Sequence, residues 1–198
     1  MSNANPRPER TGFLPPRLTV DEARQQLSGL LSGETDWVAN TANTCAFINQ
    51  LLADINWVGF YFVRGGTLLL GPFQGLPACV RIPVGKGVCG TCVATGETQR
   101  VDDVHAFPGH IACDINSRSE LVVPIYAEGK VVAVLDIDSP VAGRFSEEDQ
   151  RYIEALVEEF VRSQYPGDET PDTRVEQVTQ VTQVTQVTQE SGDFNERR

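Results

Sequence analysis

Positive charge is scarce in this chain: 16 Lys and Arg stand against 27 Asp and Glu in 198 residues, a formal net charge of -11. Such a chain has no basic field to hold a phosphate backbone, which argues against nucleic acid as a partner and favours a small molecule or a protein. Long apolar runs are missing as well. No stretch approaches the ~18 residues needed to span a bilayer, and the opening 1–17 is polar and proline-containing, without the apolar core of a secretory signal. A cytoplasmic protein with no membrane partner is expected. Histidine is confined to His105 and His110, and these fall in the same central stretch as four of the five cysteines, Cys79, Cys89, Cys92 and Cys113. An odd cysteine count without an export signal argues against a disulfide framework and for metal, redox or buried-thiol roles. The length suits one domain plus tails and is ample to bury a core without covalent staples.

Three segments are expected: a flexible leader at 1–18, a folded domain at 19–165 and a disordered low-complexity tail at 166–198. Thr19-Val20-Asp21-Glu22 offers a capping box ahead of an amphipathic helix whose Val20, Ala23, Leu27, Leu30 and Leu31 share a face. A second helix over about 36–53 follows the period of Val38, Cys45, Ile48, Leu52 and Ile55, which puts Cys45 in the core as a small hydrophobe. The period then changes to two. Residues 56–63 and 67–70, joined at Arg64-Gly65-Gly66, predict a β-hairpin, and further strands are predicted at 79–82, 121–126 and 131–137. A short helix over 88–95 and a long loop over 102–117 lie between them, and loops of that length tend to be functional. Ser146 caps a last helix with an apolar stripe of Tyr152, Ile153, Leu156, Val157 and Phe160. In the tail, Val-Thr-Gln repeats four times over 178–189, a triplet that matches neither helical nor strand periodicity. Its composition also fits a β-prone self-associating segment.

The cysteine cluster admits three readings. Cys89-x-x-Cys92 with His110-x-x-Cys113 has the ligand spacing of a structural zinc site, although Cys79 is then left over. Buried structural thiols are the second reading, but Cys113 lies in a polar loop with no core to fill. The third is redox catalysis, in which one thiolate attacks an oxidised substrate and a second thiol resolves the product as a disulfide. Accessible cysteines in loops suit it, as Cys113 is expected to be, with Cys79 and Cys89 bordering the glycine-rich Gly85-Lys86-Gly87-Val88-Cys89-Gly90.

Several stretches together bear on the choice: Gly71-Pro72-Phe73-Gln74-Gly75, the run from Cys79 through Thr91, Gly109-His110-Ile111-Ala112-Cys113-Asp114, Ser119-Glu120 and Leu135-Asp136-Ile137-Asp138-Ser139. In this combination the chain resembles the free methionine-(R)-sulfoxide reductases, a family of GAF domains, over roughly residues 20–161. The resemblance implies an α+β fold with a six-stranded antiparallel sheet flanked by helices. It also implies thioredoxin-dependent reduction of free methionine (R)-sulfoxide, and often a homodimer through helices. By position Cys113 is similar to the nucleophile, Cys79 to the principal resolving thiol and Cys89 to a further thiol active in recycling. Cys92 departs from the family pattern, which has a small non-thiol residue there. No metal or organic cofactor is required.

Methionine sulfoxide carries an ammonium, a carboxylate, an S=O acceptor and a methyl group, so its pocket needs acids, donors and an apolar wall. Strand alternation puts Asp136 and Asp138 on one face, where side-by-side carboxylates raise each other's pKa; one acid then serves the sulfoxide oxygen and another the ammonium. A strand-ending turn with its usual acid is the plainer explanation of that pair. The resemblance adds Glu120 to the same site. Trp57 and Tyr61 share a face across Gly59, leaving a gap walled by aromatics; this is ordinary core in most sheets, and the resemblance makes it the methyl pocket. The reading from a different class is a small-molecule-binding GAF sensor without catalysis, since such domains often sense rather than react. A zinc-stabilised binding domain is the third.

Overall fold

Thr19 begins the first helix through a complete capping box: its Oγ1 accepts from the Glu22 N–H, and the Glu22 carboxylate accepts from the Thr19 N–H at 2.8 Å. The helix, α1, is Val20–Leu31 in a computed structural model that describes residues 18–109 and 115–165. The readings made for 1–17 of the leader, for His110 and Cys113, and for the tail at 166–198 fall outside those residues. The second helix, α2 (Trp37–Leu51), starts at Asp36, whose carboxylate accepts from the Ala39 N–H.

The buried stripes differ from those expected. Ala23, Leu27 and Leu31 of α1 are buried, but Val20 and Leu30 are exposed, and Val38 of α2 is 62% exposed. On α2 the inward face runs through Trp37, Thr41, Thr44, Cys45 and Ile48, a helical spacing that uses small polar residues where the periodicity search counted only apolar ones. Thr41 satisfies its own hydroxyl by donating to the Trp37 carbonyl at 2.5 Å. Trp37 in turn packs edge-on against Phe62 and Phe160, with centroids 5.8 and 5.5 Å away. Cys45 is a core thiol as expected, fully buried and donating to Pro72 O at 3.3 Å.

Six strands, β1 (Trp57–Arg64), β2 (Thr67–Gln74), β3 (Arg81–Pro83), β4 (Gln99–Val101), β5 (Ser119–Ala127) and β6 (Lys130–Ser139), pair antiparallel in the order β3-β2-β1-β6-β5-β4. With α3 (Gly87–Thr95) and α4 (Glu147–Gln164), they make the α+β sheet-and-helix architecture expected. Three details depart from the sequence reading. β2 continues past Leu70 to Gln74, because a register shift opposite Gly59 and Tyr61 absorbs Pro72, which has no N–H for the ladder. The short edge strand β4 carries too few alternating residues to signal itself. The third strand begins at Arg81, so Cys79 sits in the segment leading into it.

One face of the sheet, with Val58, Phe60, Leu121, Val123, Leu135 and Ile137, packs under α1, α2 and α4. All five residues of the expected α4 stripe are buried there. Burial of each large apolar side chain contributes about 1.5–3 kcal/mol, so this layer dominates the stability of the fold. The opposite face gathers Trp57, Tyr61, Leu68, Val122 and Val134 under α3, where they meet Val88, Cys89 and Cys92. Among the described residues no helix is long and apolar enough to cross a membrane.

Candidate active site

Strand register brings the predicted acids together on the face covered by α3. Asp138 lies opposite Trp57 on one side and Glu120 on the other, and one step along, Asp136 lies opposite Gly59 and Val122. Alternation along β6 therefore puts both aspartates beside Glu120 and the Trp57 ring. Glu120 and Asp136 are each only 6% exposed, while Asp138 is half-buried.

Helix α3 closes the site from above. Cys89 and Cys92 are three residues apart and so share the helix face turned to the sheet. The spacing that reads as a zinc pair thus sends two thiols into the domain. The Cys89 thiol donates to Glu120 Oε1 at 3.8 Å, and that of Cys92 to Val122 O at 3.7 Å. Cys89 is 3% exposed, which corrects its placement as an accessible loop cysteine. The helix comes this close because of Gly90: a Cβ there would lie 2.5 Å from Pro83 O and 3.1 Å from Gly85 N, both backbone atoms that cannot give way.

The electrostatics follow from burial. Desolvation pushes the Glu120 carboxyl well above the usual carboxylate range, and the charges of Asp136 and Asp138 push it further. Asp136 is pushed up to about 6, again chiefly by burial, against bonds from Cys89 and Glu120 that favour its ionised form. The carboxyl that raises Glu120 alongside burial is thus Asp136 first, and Asp136 owes its shift to burial rather than to its strand neighbour Asp138. A proton held on Glu120 and shared with Asp136 lowers the cost of burying the pair, but it leaves Asp136 Oδ1 without a hydrogen-bond partner. Burial also raises the Cys89 and Cys92 thiols and the Tyr61 hydroxyl, so all three remain protonated donors near neutral pH.

The aromatic wall differs from the expected gap. The Trp57 indole lies over Gly59, where an added Cβ would collide with its ring and stand 2.6 Å from Phe73 Cβ. Trp57 stacks on Phe73 at 5.3 Å and on Tyr61 at 5.9 Å. Glycine at 59 makes room for the indole itself, and Phe73 is a wall residue that the sequence reading missed because Pro72 hid its strand. The two predicted wall residues also hold a loop. Trp57 Nε1 donates to Leu76 O at 3.1 Å, and the Tyr61 hydroxyl donates to Cys79 O at 3.0 Å. Cys79 is disulfide-bonded, whereas Cys45, Cys89 and Cys92 are free thiols.

Comparison with known proteins tests what such a site belongs to. The GAF domain family model matches residues 38–161. The chain is 52% identical over 136 residues to the free methionine-R-sulfoxide reductase of Escherichia coli, spanning 69% of this chain and 82% of that protein. This chain belongs to the free methionine-R-sulfoxide reductase family. It is an oxidoreductase built on a GAF domain. The reduced form of fRMsr from Staphylococcus aureus superposes with a TM-score of 0.72 at 48% identity, covering 74% of this chain and 95% of that one. The free methionine-R-sulfoxide reductase of Neisseria meningitidis, solved in complex with its substrate, gives 0.70 at 44% identity over 73% and 87% of the two chains. The span matched by the GAF model takes in the acids, α3 and the aromatic wall.

Proposed function

We propose that this chain reduces free L-methionine (R)-S-oxide to L-methionine by thiol chemistry, with thioredoxin as the electron source and the cytoplasm as its place of work. The observation that carries the reading is the buried Glu120–Asp136 pair under α3, with Asp138 beside it on the strand; burial raises both carboxyls, Glu120 well above the usual carboxylate range and Asp136 to about 6. A sulfoxide oxygen needs a proton as it leaves sulfur, and an α-ammonium group needs a carboxylate. In this reading Glu120 supplies the first, and Asp136 with Asp138 supplies the second. Trp57, Tyr61 and Phe73 give the methyl group an apolar wall.

The thiolate of Cys113 attacks the sulfoxide sulfur, and the oxygen, protonated, passes to the cysteine. Methionine leaves, the substrate sulfur is reduced by two electrons, and Cys113 is oxidised to its sulfenic acid. The Cys79 thiol then attacks that sulfur, water departs and a disulfide forms, which an external dithiol reduces. The disulfide-bonded state of Cys79 beside free Cys89 and Cys92 supports Cys79 as the resolving thiol. Cys89 enters recycling only if α3 moves, because it is buried. The exposed Val20, Leu30 and Val38 on α1 and α2 support association of two copies through helices.

Thioredoxin-coupled NADPH oxidation with separated R and S epimers of free methionine sulfoxide tests the reading. Turnover of the R epimer alone, abolished in Cys113→Ser, is expected. Absence of turnover with either epimer in folded, reduced protein overturns it in favour of a sensor domain.

A further inference from the structure

Cys89, Glu120 and Asp136 each offer a ligand atom within 4.8 Å of the others, and all three residues are buried. A soft sulfur with two hard oxygens is a donor set that suits zinc-type divalent ions rather than calcium or magnesium, which prefer oxygen alone. A tetrahedral zinc ion with bonds of ~2.3 Å to sulfur and ~2.0–2.2 Å to oxygen holds those atoms ~3.6 Å apart. The Cys89 thiol lies 3.8 Å from Glu120 Oε1, so helix and strand already set that span without rearrangement.

A second, independent observation concerns the same cluster: Asp136 Oδ1 is buried and has no hydrogen-bond partner. An unpaired carboxylate oxygen inside a protein is costly unless a cation or donor meets it. Asp138 adds negative charge from the neighbouring position on the strand.

We propose that the Cys89–Glu120–Asp136 triad is a binding site for a zinc-type divalent cation, which displaces the thiol and carboxyl protons and completes its coordination with Asp136 Oδ1. The donor set is distinct from the Cys89-x-x-Cys92 pair, because the Cys92 thiol is directed at the Val122 carbonyl. Because these carboxylates are the ones proposed to hold the substrate, the ion excludes methionine sulfoxide; that consequence rests on the functional reading, whereas binding itself does not.

Cobalt(II) is the probe, added to the full chain in its oxidised form, in which Cys79 is not available as a ligand. One equivalent is expected to give a near-ultraviolet thiolate-to-cobalt charge-transfer band, displaced by zinc. The band is expected to persist in Cys92→Ser and vanish in Cys89→Ser. Asp136→Asn and Glu120→Gln, which keep the thiol, are expected to weaken binding about tenfold or more. These two variants carry the test if Cys89→Ser does not fold. No band in the wild type, a band that survives in Cys89→Ser, or unchanged affinity in both carboxylate variants overturns the proposal. Reductase assays in chelator-treated buffer report separately on catalysis, so a failure of one reading is not mistaken for a failure of the other.

Discussion

Asp136 illustrates how a single buried acid couples function to stability. Its folded-state pKa, pushed up to about 6, exceeds the ordinary 3.8, so between these values the folded protein holds a proton that the unfolded chain releases. Stability falls as pH rises through that window; the burial penalty is absent below it and fully present above it. Asp136→Asn removes the penalty. It is expected to melt about 2–6 °C above wild type at pH 8, corresponding to ~1–2 kcal/mol, with the difference shrinking toward zero as pH approaches 4. Thermal melts across that range check the sign. The same variant is expected to lose substrate affinity, read as a raised KM, because the missing anion no longer meets the ammonium. The side-by-side placement of Asp136 and Asp138 was legible from alternation alone. The deeper coupling of Asp136 to Glu120 was not, because the register pairs Glu120 with Asp138 and leaves Asp136 as its diagonal neighbour, a contact that alternation along one strand does not reveal.

At the scale of elements, α3 shows how narrow the margins are. It has no side-chain N-cap bond, and it ends on Gly96, whose left-handed φ of 70° lets its N–H reach Cys92 O at 2.8 Å. What fixes its height above the sheet is the missing side chain at Gly90. Gly90→Ala drives a methyl into the 83–85 backbone and is expected to cost about 1–3 kcal/mol, lowering the melting temperature. Lifting the helix also separates Cys89 from Glu120, so turnover is expected to fall by more than stability predicts; steady-state kinetics well below the melting temperature separate the two effects. Both ends of α3 were readable from glycine and the apolar pattern, but its contact partners were not. For α2 the error ran the other way: a search for large apolar residues chose Val38, while the helix buries Thr41 and Thr44, whose small size admits close packing. Thr41, which satisfies its hydroxyl on the Trp37 carbonyl, is polar by type and so invisible to hydrophobic periodicity.

For the whole molecule, the two clusters of buried apolar residues, among the described residues, draw their members from between Ala23 and Phe160, on the two faces of one sheet. With 166–198 expected from its composition to be a low-complexity tail, truncation after Tyr165 is expected to leave the melting temperature within about 2 °C of the full chain. Calorimetry on the shortened chain checks it, and a larger drop would show that 166–198 contributes to the fold. The alternating and helical patterns that fill the two faces made the architecture legible in advance. The order of strands in the sheet was not legible, because pairing depends on contacts between distant residues.

Trp57 and Tyr61 each do two jobs: their rings wall the site, and their polar tips hold the carbonyls of Leu76 and Cys79. On the proposed function, anyone re-engineering this scaffold for a bulkier sulfoxide would begin by trimming those rings, and each trim would release the backbone around Cys79, the proposed resolving thiol. On that proposal substrate range and catalyst regeneration are wired to the same two side chains, so a library that diversifies them must be screened over many turnovers, where a first-turnover readout would reward variants that stall.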